Sequence, residues 1–552
     1  MAGPKAMGNK KPSAEVLLAR KAAAAAANKA KSASQGGKGG GKKPPPKSKA
    51  APSTDNDTKT KFTGNKRPRE EGSAAPHAPL TSKEKKEAVR AKKMETKPNF
   101  ATVQEITMMW EKMRPAEVAE AEKRKTVKDI MEKVAGRIPT LAMSHTASRV
   151  IQACVKHGDA KVRAAVLGEV KGRLLEMSKS SYGNFVVRKL INLAPKGDFK
   201  EIQKAFKGRI PELMRHPCGS AVVIDLFAAA STEQRNRMAA EFYGREFQLF
   251  DAKEGDKVHS LTEKMAGMTA TQRKATLQHL TIQLSPIMEK GLLDSELVHR
   301  LVWEYIENSS EVTMAEVVDN LCGPFLLRMV HTRDGARASC AVLRAAGAKD
   351  RKKVVKAMKE NVERLASDEY AHVVLICALG VVDDTALLRK MIVAPLQAMM
   401  PGLLENKYGR RVLLHLLAPF NNRYLPLEYQ DWVRPNTAPS AGENGGDGDA
   451  AAGKATSLKD PTLRRREVLG AGKGSLGAQL VAEVEADLRR LLCSFTATDC
   501  VLEVARGGSD GLLAESEGEG VARVQAAIAQ LAAEERSAAP TTTGEDGDSD
   551  AG

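Results

Sequence analysis

Aromatic side chains are scarce in this 552-residue chain: Phe, Trp and Tyr together make up 4%, with three tryptophans. β-Sheets lean on aromatic and β-branched residues, so this scarcity beside abundant Ala, Leu, Val and Met favours stacked helices. Cysteines number seven, an odd and scattered set without a Cys-x-x-Cys pair. That pattern supplies neither a disulfide framework nor a zinc ligand set, and it suits a reducing, intracellular compartment. No stretch of 18 apolar residues exists, so no membrane-spanning helix is expected. The run Ala22–Ala27 is too short and too weakly apolar for a secretory signal. The ten histidines include no His-Glu-x-x-His, and there is no nucleophile elbow, clustered metal-ligand set or dinucleotide fingerprint. Gly472-Lys473-Gly474-Ser475 resembles a phosphate loop, but Glu467 stands where its first glycine belongs and no strand precedes it. Asp383-Asp384 reads as a helix start. No enzymatic activity, cofactor or metal is expected.

What the chain has in excess is positive charge, unevenly placed. Residues 1–100 hold 24 Lys/Arg against 8 Asp/Glu, residues 101–433 hold 50 against 40, and residues 434–552 hold 12 against 20. A basic front joined to a mildly basic middle favours a polyanion, because each phosphate neutralised releases condensed counterions. Residues 1–98 are rich in Lys, Ala, Gly, Pro and Ser and cannot offset their ordering entropy, so a disordered basic tail is expected there. Within it, Lys66, Arg67 and Arg69 form one basic cluster and Lys83, Lys85 and Lys86 a second, in the manner of a bipartite nuclear import signal read by an import receptor.

The pair Gly-Arg recurs at 136–137, 172–173, 208–209 and 244–245, a 36-residue beat. A second landmark keeps the same beat: Ser148-Arg149-Val150-Ile151-Gln152, Asn184-Phe185-Val186-Val187-Arg188 and Ser220-Ala221-Val222-Val223-Ile224. Thirty-six residues hold two short helices and their turns, which predicts an all-α helical-repeat solenoid. Divergent pairs continue, with inner helices expected around Glu296–Trp303, Ala336–Leu343, Ala371–Leu379 and Arg410–Leu417. The organisation expected is N-terminal repeats over 99–260, divergent repeats over 261–433, a linker over 434–457, further helices over 458–536 (Asp460–Glu467, Leu476–Cys493 and Asp499–Arg506) and an acidic end over 537–552.

On a helix Ser148 and Gln152 share a face with Arg149 beside them, a set able to bond a base edge and stack on its plane. Here the chain resembles the pumilio (Puf) family of RNA-binding repeats, and within it the nucleolar Puf-A branch. The likeness rests on His145–Gln152, His331–Arg337, Lys407–Leu414 and Arg464–Glu467. The resemblance implies a right-handed solenoid of pumilio-like repeats with a C-terminal pumilio-like extension. It also implies that the first, second and fifth residues of each five-residue motif meet one base.

The later triples depart from that pattern. Asn184, Phe185 and Arg188 keep a stacking ring but place a cation where an amide or acid is usual. Ser220, Ala221 and Ile224 keep neither a stacking plane nor a second edge-bonding group. The expected later triples are Glu296-Leu297-Arg300, Ala336-Arg337-Cys340, Ala371-His372-Leu375 and Arg410-Arg411-Leu414. The cations and imidazole among these positions (Arg149, Arg188, Arg337, His372, Arg410, Arg411) fit backbone recognition better than a base-by-base code.

The resemblance therefore implies a monomeric RNA-binding factor of ribosome biogenesis. It would act on the large-subunit precursor rRNA in the nucleus and nucleolus, beside pre-ribosomal assembly factors. The competing readings are a sequence-specific regulator of mRNA translation and a protein scaffold of armadillo or HEAT type.

Overall fold

Helix starts set the architecture. In the computed structural model, which describes residues 99–244, 247, 260–435 and 457–538, eight helices form a side-by-side row. They are α1 (His145–His157), α2 (Gly183–Leu193), α3 (Gly219–Ala229), α4 (Glu296–Glu307), α5 (Arg333–Ala345), α6 (Ala371–Val381), α7 (Gly409–Leu417) and α8 (Thr498–Ala505). Seven of them start after a residue whose side chain accepts an otherwise orphaned first-turn N–H. These are Ser144, Ser180, His216, Thr332, Asp368, Asn406 and Ser494. At α4 the equivalent Ser295 is buried and its hydroxyl has no partner.

Within each inner helix, apolar pairs turn toward the core: Val150-Ile151, Val186-Val187, Val222-Val223, Leu301-Val302 and Val412-Leu413 are all buried. Outer helices such as Ala160–Val170, Lys196–Phe206 and Ala348–Met358 pack behind the row. Among the described residues there is no strand. No described helix is long and apolar enough to cross a membrane. Cys154, Cys340, Cys377 and Cys500 are buried as small apolar groups, whereas Cys493 is exposed. The clusters at Lys66–Arg69 and Lys83–Lys86 and residues 436–456 of the expected linker lie outside the described residues.

The Gly-Arg beat has a physical cause at two of its four places. Gly136 and Gly208 adopt φ of 72° and 76°, a left-handed conformation that costs other residues about 1 kcal/mol. That bend aims their N–H at a carboxylate of the next repeat. Glu169 accepts from the N–H of Gly136 at 2.8 Å and of Ile138 at 3.2 Å. Glu241 accepts from Gly208 at 2.8 Å and Ile210 at 3.0 Å. Each glutamate thus caps a five-residue helix of the preceding repeat and staples two repeats together. Midway between them stands Ala205, which has no carboxylate. Accordingly Gly172 lies in a 3-10 turn without positive φ, and Arg173 pairs locally with Glu176 at 2.8 Å.

The C-terminal helices differ from expectation in two places. The stretch Leu476–Cys493 is broken at Asp487 (φ −118°) into Leu476–Ala486 and Leu488–Cys493. An additional helix, Leu427–Val433, packs against α5 and α6.

The far end of the linker is pinned by Arg464, 1% exposed, which donates to the carbonyls of Gly380 and Lys459, to Ser457 and to Asp383 at 2.7 Å. Burial alone would raise the Asp383 carboxyl, but the N–H groups of Leu458 and Lys459 with Arg464 and Ser457 hold it at about 2. Asp384 caps the next short helix, as its sequence position suggested.

The staples give a direct test. Glu241→Ala leaves the buried Ile210 N–H and the half-buried Gly208 N–H unsatisfied and lowers unfolding free energy by about 1–3 kcal/mol. Glu169→Ala costs less, because its bonds are nearer solvent. Urea unfolding of the two variants checks the order, and equal losses would contradict the staple.

Candidate nucleic-acid interface

The residue at the cap position, capping in seven helices and Ser295 at α4, gives the register of each repeat, and that register moves two of the expected triples. Counting from the cap, the three reading positions are the fourth, fifth and eighth residues after it: Ser148, Arg149 and Gln152 after Ser144. After Ser295 they are His299, Arg300 and Trp303, not Glu296, Leu297 and Arg300. After Asp368 they are His372, Val373 and Ile376, so His372 is a first-position residue and not a second.

The first position is interior. Ser148 is 1% exposed; its hydroxyl donates to the Tyr182 carbonyl of the next repeat at 2.9 Å and accepts from Gln152 Nε2 at 3.0 Å. Asn184 donates to the Ser180 carbonyl at 2.8 Å and Ser220 to the Pro217 carbonyl at 3.2 Å, both nearly buried. His299 reaches Thr332, the next repeat's cap, at 2.8 Å. Turning Ser148 toward a base would break both of these bonds, at about 1–3 kcal/mol together, as much as a good bidentate base contact returns. The expectation that Ser148, Asn184 and Ser220 meet a base edge is therefore corrected: they join neighbouring helices and turns.

The fifth and eighth positions reach the open side on α1–α3. Arg149 is exposed and forms no ion pair or side-chain hydrogen bond among the described residues. Phe185 is 47% exposed, and Ile224 lies at the surface beyond it. Tyr182 adds a second exposed ring, edge-on to His145 at 5.3 Å. Arg188 is half-neutralised: its Nε lies 2.6 Å from Asp225 of the next repeat. This stretch offers one free guanidinium, two rings and a cation that an incoming phosphate would have to share with Asp225.

From α4 onward the same row is spent internally. Arg300 bonds Asn236 at 2.6 Å and Glu304 at 3.0 Å. The Arg337 guanidinium stacks over Trp303 at 3.9 Å with Glu307 at 3.6 Å. Arg410 donates to Asp499 at 2.8 Å and to the Thr496 carbonyl. Helix Leu427–Val433 covers α5 and α6: Glu428 pairs with Arg333, and the carbonyls of Asp431 and Arg434 accept from Arg344. Beneath it Val373 and Ile376 are buried. His372 is fully buried and stacked on Tyr408 at 5.5 Å, which removes it from the nucleic-acid surface expected of it. Among the expected arginines of this half, Arg411 forms no ion pair with any described residue and lies 6.0 Å above Tyr408. Sequence reasoning missed Tyr182 and the covering helix; the tyrosine two residues after a cap, repeated at Tyr370 and Tyr408, was the available signal.

The loop that resembled a phosphate cradle is filled by the protein itself. Gly470, Gly472 and Gly474 all have positive φ, and the Glu517 carboxylate accepts from the Gly472 N–H at 3.0 Å and from Ser475 at 3.3 Å. Glu517 leaves helical geometry to do so, kinking the helix Leu512–Ala538. No cluster able to hold a metal occurs among the described residues.

Residues 87–411 match the NOP9-like PUF repeat domain and residues 405–548 the CPL (NUC119) domain. Pumilio homolog 24 of Arabidopsis thaliana is 32% identical over 506 residues, covering 85% of this chain and 78% of that protein. The chain belongs to the pumilio repeat family, in its Puf-A branch. Human Pumilio homolog 3 is 29% identical over 425 residues, 77% of this chain and 62% of that protein. Pumilio homology domain family member 6 of Saccharomyces cerevisiae is 29% identical over 394 residues, of which the chain spans 57%. The crystal structure of human Puf-A superposes with a TM-score of 0.65 at 28% identity, covering 74% of this chain and 75% of that one. A second crystal structure, of human Puf-A in complex with DNA, gives 0.62 at 26% identity. These similarities establish the helical-repeat fold that the 36-residue beat predicted.

Three histidines, His299 and His372 buried and His415 half-buried, give the pumilio row a pH dependence. Burial pushes His299, His372 and His415 down to about 4, with the Arg465 charge adding to the effect at His415. A depressed folded-state value means that the unfolded chain binds more protons below the usual 6.5. Stability is therefore full above pH 6.5 and falls as pH drops toward 4, by about 2 kcal/mol per histidine at pH 5. Chemical denaturation at pH 7 and pH 5 measures the loss. In His415→Gln the loss shrinks; an undiminished loss would count against His415 as a source.

Proposed function

We propose that this pumilio-family chain binds RNA along the open side of α1–α3, through phosphate contacts and stacking, with little choice of sequence. The observation that carries this reading is the burial of the first reading position in repeats whose fifth position stays exposed. Edge readers Ser148, Asn184 and Ser220 are committed to internal bonds, while Arg149, Phe185 and Tyr182 remain available. A stacking ring and a guanidinium accept any base, because every base has a π-face. A positive middle region and the Lys-rich residues 1–100 add long-range attraction. The Puf-A likeness supports a role in maturation of the large-subunit precursor rRNA, within the nucleolus and beside assembly factors. The basic clusters at Lys66–Arg69 and Lys83–Lys86 support delivery by an import receptor. In this role the chain is a binding factor and not a catalyst.

Binding of the full chain to RNAs of permuted sequence and to an RNA duplex, across a salt series, tests the reading. Affinity varies little with sequence and falls steeply with salt. Arg149→Ala with Phe185→Ala weakens binding by about 1–3 kcal/mol for every sequence tried, the worth of one stacked base. Sharp loss of affinity on permuting the RNA would favour the sequence-specific regulator. Absence of RNA binding at low salt, with capture of assembly factors, would favour the scaffold.

A further inference from the structure

Repeats α5 and α6 have a closed inner side and spent inner cations, yet their outer side carries the opposite arrangement. The outer helix Ala348–Met358 and the residue after it hold Lys349, Lys352, Lys356 and Lys359 at spacings of three and four, so the four lie along one exposed stripe. The stripe is about 15 Å long at 1.5 Å per residue. The turn Arg389–Val393 packs beside this helix and adds Arg389 and Lys390, both exposed. None of the six side chains forms an ion pair or hydrogen bond among the described residues.

The acids nearby are mostly committed elsewhere. Asp350 pairs with Lys353 at 2.6 Å, where Asp319 also acts, and Glu467, which feels Arg389, is held by Lys459 at 2.6 Å. Glu360 and Glu363 follow only at the far end, with exposed Arg364 beside them. Apolar residues of the same helix (Val354, Val355, Met358) are buried and Arg351 is tied to the Leu343 and Arg344 carbonyls, so the stripe stands on a fixed base.

We propose that this outer stripe is a second RNA surface, which takes the phosphate backbone of a segment running outside α5–α6. The proposal rests on the RNA-binding reading above and extends it to a side of the solenoid that the inner-face reading does not use. Charge complementarity selects the occupant. Four to six unpaired cations within about 15 Å suit a polyphosphate chain, and no ring on the stripe offers a base a place to stack.

The test uses the full chain and its variant K349Q/K352Q/K356Q/K359Q, with the inner-face variant R149A/F185A beside it and a labelled RNA duplex as probe. The four lysines are exposed, so thermal melting should match wild type. The expected result is a Kd raised about tenfold or more at low salt, with the slope of log K against log salt shallower by about 3. A variant that melts normally and keeps both the wild-type Kd and the wild-type slope overturns the outer surface, while leaving the inner-face reading intact if R149A/F185A loses affinity. The same result with lost capture of an acidic assembly protein assigns the stripe to protein and also overturns it. Wild-type protein that binds no RNA overturns both readings together.

Discussion

Side-by-side packing of one inner helix against the next is the constraint on which the rest depends. Each inner helix turns apolar residues into the core, and the residue four places after its cap sits at the seam with its neighbour or its own first turn. A solenoid has no central core to fall back on, so stability is a sum over such nearest-neighbour seams. A polar residue in the seam must find its partner there. Ser148 finds the Tyr182 carbonyl, His299 the Thr332 hydroxyl, and Asn184 and Ser220 backbone carbonyls of their own first turns. Packing has thus absorbed the position that a base-reading repeat would present, and on α1–α3 it is the fifth and eighth positions that face the open side.

Charge follows the same logic. Arginines on the later inner helices meet carboxylates or carbonyls of adjoining elements: Arg300 with Glu304, Arg337 with Glu307, Arg410 with Asp499, Arg344 with the end of the covering helix. Such bonds join successive repeats or cap the row, and they lower the free positive potential of that face. The N-terminal inner helices keep Arg149 free and only half-neutralise Arg188, so electrostatic asymmetry along the row accompanies structural asymmetry. Carboxylates that close on backbone N–H groups play a parallel part. Glu169 and Glu241 staple repeats, and Glu517 fills a glycine loop that would otherwise attract an anion.

Much of this was legible in the chain. The 36-residue beat showed the helix pairs because periodic glycines and apolar pairs are local requirements of turns and buried faces, met by each repeat alone. Ser-x-x-x-Ser at 144–148 and Asp-x-x-x-His at 368–372 also carry the register, although reading it needs the cap to be known as a cap. Without that knowledge the α4 and α6 triples slip, by three residues and by one, since apolar runs such as Ala371–Leu379 look alike in every register. The covering helix Leu427–Val433 was illegible for another reason: seven residues are too few to show a period, and its partners on α5 and α6 lie about 50–100 residues away in sequence.

Sequence by itself determined the repeat, the fold class, the family resemblance and the uneven charge, all of which depend on residue type and local spacing. Tertiary structure alone decided which polar groups are free. Whether Ser148 meets a base or the next repeat, whether Arg410 meets phosphate or Asp499, and whether His372 sees solvent depend on what stands opposite each side chain. That neighbour comes from another repeat or a later segment, and a buried polar group takes the nearest partner because leaving it unpaired costs more than most external contacts return.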